Sequence, residues 1–568
     1  MFKTIAFYEI EADKYSFFTF EQPKEIIEVF RKHRVVVGFN SNNYDIPILK
    51  RFGLFKFKHT QIDLYEVLKK RGAYIGLKDA SKSLSNVAKI LKLENYKDEE
   101  FDYSVLNKKE WTTEELEYIK NYNILDVKVT NDLYKHLYNF FEPFKEYVNT
   151  YDQREMKWLT CSMATFAYKT ICNKTGIKEE YEENGKYEHY DGALVIKPKK
   201  SEAHGKILLK DFLSLYPSLF IQCNLFSNKC SCCKPEEKWT GDGFFNVKGS
   251  YCNKKQGKIE KSVKNILLDR INFKKQKDIR QYALKIVINS LYGAVGYPVF
   301  KNIHNYMTAE DCTRIAQDCI KFAMETYEGF GFPVIYGDTD SVFVEIPENK
   351  TENEANAIAK YIVKELQLHM PFPLKEFDLK TDDKIKHIYF FKSGDKLIKK
   401  LYIYVTQENN LVIKGMPFIK SDNSGIGKLI FDKYMKDKVI NGQINFDYYD
   451  ILKWSTDYLE ENPDCVVRTW KVNEASTYKL ESQIQAQISK RYGAGRHKLV
   501  PNDTYGVGNS TKHCTVKEFE EQGLKTENIV LNKMWKELKY FCDIPKKERK
   551  NNNRQRKQKT TLMKWFGI

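Results

Sequence analysis

Tyr336-Gly337-Asp338-Thr339-Asp340-Ser341 sets two carboxylates two residues apart, between an apolar run from Phe330 to Ile335 and another at Val342-Phe343-Val344. The pattern predicts strand, tight turn, strand. Alternate residues of a strand share a face, so Asp338 and Asp340 can aim into one cleft. Two carboxylates held that close repel each other unless a cation lies between them, and hard oxygen donors call for Mg²⁺ or Mn²⁺. An isolated Asp-x-Asp is most often a polar surface turn, but this one has companions. Asp211 ends a second apolar strand signal, Ile207-Leu208-Leu209. Three carboxylates suit two metal ions ~3.5–4 Å apart, clamping the attacking and leaving oxygens of a displacement. Backbone N–H groups in the turn after Asp211 could hold phosphate oxygens. On predicted helices, Lys285, Asn289 and Tyr292 share a face at i, i+4 and i+7, and Arg270 and Lys274 share one at i, i+4. Such cations, converging, would neutralise a triphosphate.

Several elements must position these groups. At 568 residues the chain is too long for one core, and two to four domains are expected. Hydrophobic content of 42%, with 14% aromatics, excludes a disordered chain. Lys+Arg number 93 against 76 Asp+Glu, a net +17 that suits a polyanionic partner such as nucleic acid. The abundance of Lys, Asn, Ile, Tyr and Phe weakens that argument, because it also reflects compositional drift. No apolar run reaches about 18 residues, so no transmembrane helix and no membrane partner are expected. The first residues lack a signal-peptide pattern, and twelve scattered Cys fit reduced thiols in a cytoplasmic setting.

Residues 1–150 read as α/β, with strands from Thr4 to Ile10 and Val35 to Phe39. A long helix opens at a Thr112–Glu115 capping box. Residues 151–205 read as a connector. Two basic helices run between Lys258 and Val295, and 391–545 is α+β with poor local signals. Within 1–150, Asn40-Ser41-Asn42-Asn43-Tyr44-Asp45 follows a strand, and Tyr122 and Asp126 lie one helical turn apart. A second carboxylate site is expected there.

The Asp211-x-x-Ser-Leu-Tyr-Pro-Ser string resembles motif A of family B DNA polymerases. Lys285-x-x-x-Asn-Ser-x-Tyr-Gly resembles motif B, and Tyr336-x-Asp-Thr-Asp-Ser resembles motif C, in the right order and rough spacing. The 40–45 and 122–126 segments resemble the second and third motifs of the DEDDy 3′–5′ exonucleases carried by that family. The resemblance implies a multidomain α/β and α+β chain. A ribonuclease H-like exonuclease domain (1–150) and a connector (151–205) would precede palm (206–257 and 296–390), fingers (258–295) and thumb (391–545), with a basic tail at 546–568.

The roles it implies are specific. Asp211, Asp338 and Asp340 would be the catalytic carboxylates holding two Mg²⁺, Mn²⁺ being possible, and Phe212 would join the metal site. Arg270, Lys274 and Lys285 would hold the incoming triphosphate beside Ser214 and Leu215. Tyr216 would be the steric gate that excludes a ribose 2′-OH, and Asn289 and Tyr292 would line the base-pair pocket. Tyr190 and Gly192, in a Tyr-x-Gly-Ala segment, together with Lys400, Tyr402, Lys414, Gly415 and Asn40, would contact DNA. In the exonuclease, Asp45 and Asp126 would bind metals and Tyr122 would orient water. Its first motif normally reads Asp-x-Glu, and here it is Glu9-Ile10-Glu11. Glu11 is therefore the firmer expected ligand, because Glu9 has a longer arm than the Asp it replaces.

Primer–template DNA and dNTPs are the implied partners, for a monomer. The compact spacing between motifs suggests a phage or viral enzyme that uses an ordinary primer, with a helicase ahead of it. Lys559 to Phe566 resembles a sliding-clamp-binding peptide whose Leu562, Trp565 and Phe566 would plug an apolar pocket. Cys230, Cys232, Cys233 and Cys252 cluster loosely. Cys-x-Cys-Cys is awkward for one tetrahedral metal, so free thiols are expected. Two rival readings are a polymerase with a silent exonuclease scaffold, and a non-enzymatic, clamp-tethered DNA-binding factor.

Overall fold

A computed structural model of the chain describes residues 3–77, 82–96, 101–108, 110–393, 396–419 and 426–462. It also describes 468–472, 476, 484–493, 495–501, 513–514, 538 and 540–541. The clamp-peptide residues Leu562, Trp565 and Phe566 lie outside this set. The chain divides into two compact units, Met1–Leu194 with Phe212–Ala323 and Ala357–Lys380, and Val195–Asp211 with Met324–Asn356 and Thr381–Ile568.

The first unit opens with an antiparallel hairpin of β1 (Thr4–Glu9) and β2 (Lys14–Thr19). A parallel pair follows, β3 (Val35–Gly38) with β4 (Thr60–Asp63). Ile26, Phe30, Ile46, Leu49, Leu54 and Phe55 make a buried cluster beside these strands. The expected capping box forms. Thr112 Oγ1 accepts from the Glu115 N–H while the Glu115 carboxylate accepts from the Thr112 N–H, and the helix Thr113–Phe141 runs on from there.

The stretch that reads as a mixed connector contains a well-formed helix, Met163–Thr175, with Ser162 as its N-cap. It packs against the helix Arg280–Val295, which in turn packs against Lys258–Lys275. Sequence reading loses this helix because its apolar stripe is interrupted by Lys169. That lysine is buried, and it is ion-paired to Asp152 at 2.9 Å and Glu179 at 2.5 Å.

The second unit is built on a six-stranded sheet. It comprises β5 (Glu202–Phe212), β6 (Val334–Asp338), β7 (Ser341–Glu345), β8 (Leu379–Ser393), β9 (Lys396–Thr406) and β10 (Leu411–Lys414), in spatial order β10-β9-β8-β5-β7-β6. Ile207, Leu209, Tyr336, Phe343, Ile388, Phe390, Tyr402 and Tyr404 bury one continuous aromatic-aliphatic layer on it. A second core joins Phe418, Phe431, Met435, Ile451 and Phe541. A three-stranded sheet, β11 (Arg468–Val472), β12 (Gly495–Pro501) and β13 (His513–Cys514), completes the unit.

Lys169→Ala would leave the Asp152 carboxylate, whose side chain is 2% exposed, buried without its cation. A loss of about 3 kcal/mol is expected, read as the shift of a denaturant midpoint. An unchanged midpoint would show that the ion pair is dispensable.

Candidate functional site

Strand register decides how the carboxylates of the second unit meet. Asp211 on β5 and Asp338 on β6 are both register partners of Ser341 on β7, the strand between them. Asp340 sits in the β6–β7 turn, its N–H donating to the Asp338 carbonyl at 2.7 Å. The Asp211 carboxyl is pushed up to about 7, first by burial and then by the charges of Asp340 and Asp382. Asp340 is raised as well, again by burial first, with Asp338 and Asp382 adding and Lys400 opposing. Asp382, on β8, is a fourth carboxylate that the motif reading missed. Two adjacent acids inside a strand, Asp382-Asp383, were the signal available for it.

Asp338 is pinned. Lys400 Nζ donates to its Oδ1 at 2.7 Å and Thr339 Oγ1 at 2.9 Å. The Lys400 backbone N–H donates to the Tyr336 hydroxyl at 3.0 Å. Lys400, expected at a DNA backbone, thus directs its ammonium at the carboxylate cluster. Tyr402, expected beside it, is 6% exposed and packs among Tyr336, Phe343 and Phe390. Its side chain is a core residue, because β9 is covered on both faces here, Leu401 and Ile403 packing into one cluster and Tyr402 and Tyr404 into the other. Lys414 is exposed. Gly415 (φ +71°) lets β10 pass close to β9, since a Cβ there would stand 2.0 Å from the Lys400 carbonyl oxygen.

The basic residues lie in the first unit. Arg270 Nη1 donates to Ser214 Oγ at 2.8 Å, while Arg270 Nε is buried with no hydrogen-bond partner among the described residues. An orphaned buried guanidinium donor suits an anionic ligand. Lys274, Lys285 and Asn289 are exposed on their helices. The Tyr216 ring packs on Tyr292 with centroids 4.7 Å apart, and the Tyr292 hydroxyl shares a 2.8 Å hydrogen bond with Thr313. The Tyr190 phenol is raised by burial first and by its hydrogen bond with Tyr292. The Gly192 carbonyl accepts from Gln317. Phe212 and Leu215 are buried, Phe212 stacking on Phe377, so neither side chain is open to a ligand.

The residues expected to form the second site also lie in the first unit. Asp45 is pushed up to about 6, by crowding of its carboxyl first and then by the charges of Asp63 and Asp126. Asp63 is another residue the motif reading missed. It is buried at the end of β4 and accepts from the N–H groups of Asn40, Asn42 and Tyr65, which holds the Asn40–Asp45 loop in place. A helix N-cap signal before Leu64 pointed to it. Glu9 and Glu11 both meet His33, at 3.0 and 3.4 Å. They differ in enclosure. The Glu9 side chain is 15% exposed and Glu11 is 86% exposed, because β1 ends at Glu9 and Glu11 lies in the turn. The Tyr122 ring stacks on Phe101 with centroids 3.9 Å apart. Clustered carboxylates, with Asp45, Asp211 and Asp340 each raised first by desolvation and then by neighbouring charge, offer oxygen donors that fit a hard divalent cation in both places.

A model of DNA polymerase family B matches residues 151–499, and one of the RNase_H superfamily matches residues 3–138. The chain belongs to DNA polymerase family B. It has the family's multidomain fold with an RNase H-like domain. It is 29% identical over 252 residues to a DNA polymerase of Archaeoglobus fulgidus, covering 43% of this chain and 30% of that one. It is 24% identical over 474 residues to DNA polymerase 1 of Aeropyrum pernix, covering 72% and 45%. The chain thus spans less than half the length of these curated relatives. The solved family B DNA polymerase of the hyperthermophilic archaeon Pyrobaculum calidifontis has the same fold. The TM-score is 0.56 at 17% identity, covering 91% of this chain and 72% of that one. These relatives are archaeal and lend no support to the viral origin suggested by compactness.

A carboxyl raised above its unfolded value holds its proton more tightly in the folded state. Its ionisation therefore costs stability as pH climbs from about 4 through about 7. Asp211→Asn should stabilise the metal-free protein at about pH 8 by up to about 4 kcal/mol, and the gain should vanish near pH 4. Melting curves across that range decide it, and a pH-independent difference would refute the assignment. Gly415→Ala should cost about 2–3 kcal/mol, because its Cβ meets backbone rather than a mobile side chain. A melting midpoint equal to wild type would contradict this.

Proposed function

We propose that this chain is a DNA-templated DNA polymerase that adds dNTPs to a primer 3′-OH and carries a 3′–5′ proofreading exonuclease. The observation that carries the reading is the set Asp211, Asp338, Asp340 and Asp382 at neighbouring strands of one sheet, within a chain of this family. Asp211 and Asp340 would hold two Mg²⁺, which when bound supply charge neutralisation at the attacking and leaving oxygens. Asp338, tied to Lys400, would keep the turn in place rather than lend both its oxygens to metal. Arg270, Lys274 and Lys285 would bind the triphosphate, with the orphaned Arg270 Nε finding its acceptor there. Tyr216, backed by Tyr292, would occupy the space of a ribose 2′-OH and select dNTPs. Backbone N–H groups after Asp211 would orient phosphate oxygens, so catalysis is positioning plus electrostatics.

The exonuclease reading rests on Asp45 and Asp126, braced by Asp63, with Glu9 rather than Glu11 as the enclosed member of the first motif. His33 beside both glutamates would compete with a cation for them. A silent exonuclease scaffold is therefore the second reading. DNA contacts by Lys414, Tyr190, Gly192 and Asn40, a clamp partner, a helicase ahead of the enzyme and a monomeric state belong to the same proposal.

The test is a labelled primer–template with Mg²⁺, with and without dNTPs. Wild type should extend the primer, and Asp340→Ala should lose about 10³-fold or more of that rate. Without dNTPs wild type should shorten the primer, and Asp45→Ala should not. Extension without shortening selects the scaffold reading. No extension on any primer overturns the polymerase assignment.

A further inference from the structure

Between the helices Leu215–Gln222 and Lys258–Lys275 the chain makes an irregular excursion that carries Cys230, Cys232, Cys233 and Cys252. The linear spacing argues against a metal, since Cys232 and Cys233 are adjacent. Folding changes the geometry. The four Sγ atoms all lie within 4.8 Å of one another. Cys232 and Cys252 are 3.3 Å apart, Cys233 and Cys252 3.5 Å, and Cys232 and Cys233 3.9 Å. A tetrahedral metal with sulfur bonds of about 2.3 Å needs edges of about 3.8 Å. A disulfide needs about 2.05 Å, well inside any of these separations. An iron–sulfur cluster spreads its thiolates over several irons and holds them farther apart.

The surroundings are those of a built site. The Trp239 and Tyr251 backbones exchange two hydrogen bonds, 2.8 and 2.9 Å, which clamp the two Cys-bearing segments together. The Cys252 N–H donates to Ser227 Oγ at 2.9 Å, and the Lys255 N–H reaches Cys252 Sγ at 3.4 Å. Backbone donors to thiolate sulfur are a usual outer layer of a metal–thiolate site. Cys252 and Cys233 are buried, while Cys230 is half-buried and Cys232 exposed, which leaves an entry side. Lys229, Lys234, Lys254 and Lys255 flank the cysteines in sequence, Lys254 being ion-paired to Glu237 at 2.7 Å.

We propose that Cys230, Cys232, Cys233 and Cys252 form a structural tetrathiolate site for one Zn²⁺. Its place explains a use for it. Asn224 Nδ2 donates to the Cys252 carbonyl at 2.7 Å, and Asn224 Oδ1 accepts from the Gly257 N–H at 2.9 Å. The Phe226 N–H donates to Glu260 Oε1 at 2.7 Å. The same knot thus anchors the first turn of the helix that later carries Arg270 and Lys274. The metal would stiffen the base of that helix without touching a substrate.

The experiment uses the full chain, purified without chelator, and measures metal by plasma mass spectrometry and thiols by a chromogenic disulfide reagent. One zinc per chain is expected, set free as an organomercurial bonds to and consumes the four site thiolates, and the disulfide reagent should find those four thiols only after a chelator has removed the metal from unfolded protein. Replacement by Co²⁺ should give an intense thiolate charge-transfer band with tetrahedral d–d bands. Cys232→Ser, at an exposed position that the fold can spare, should shift those bands to higher energy and weaken Zn²⁺ by at least about tenfold. Stoichiometric iron with acid-labile sulfide, a disulfide among these cysteines in freshly isolated protein, or freely reactive thiols with no bound metal would each overturn the proposal. These readouts do not depend on polymerase activity, so the zinc site and the catalytic reading stand or fall separately.

Discussion

Mutual repulsion among carboxylates is the constraint around which the second unit is arranged. Asp211, Asp338 and Asp382 stand on strands of one sheet and Asp340 in the turn between two of them, so their separation is set by the sheet and not by their own preference. Left to itself such a set would spread apart or take up protons, and Asp211, pushed up to about 7 by burial first and then by the charges of Asp340 and Asp382, records part of that tension. The aromatic-aliphatic layer beneath, from Ile207 to Tyr404, holds the strands against it. Lys400 relieves part of the charge through Asp338. A carboxylate cluster of this kind is destabilising in itself, and the stability it lacks is supplied by packing elsewhere.

Backbone conformation tells the same story. Asn40, Ser214, Thr339 and Lys400 all have φ between 52° and 63°, where side-chain-bearing residues seldom sit. Each belongs to a motif singled out for chemistry. Thr339 is β-branched and so the least suited of the four, yet its turn places Asp340. Strain of this kind persists only where surrounding contacts over-determine it. For Lys400 those contacts are visible. Its N–H is tied to Tyr336, its ammonium to Asp338, and its carbonyl lies against Gly415, where no larger residue fits.

Asp63 and Lys169 show buried charge put to structural use. Asp63 receives three backbone N–H groups and shapes the loop that presents Asp45. Lys169 interrupts an apolar helix face and is matched by Asp152 and Glu179, which come from flanking segments. In both cases the polar group is affordable because its partners are already fixed by neighbouring elements.

Local pattern was enough for the strands around Asp211 and Asp338, the Thr112–Glu115 capping box and the two basic helices, because periodicity and capping are properties of contiguous residues. Family membership was legible for the same reason, its motifs being short strings. Pairings between distant residues were not. Asp382 joins the carboxylates through β8, and His33 meets Glu9 and Glu11 across 24 and 22 positions. Lys400 turns to Asp338, Tyr402 turns inward, and four irregularly spaced thiols converge. Each depends on strand order or on where a turn ends, which are settled only when the whole chain packs.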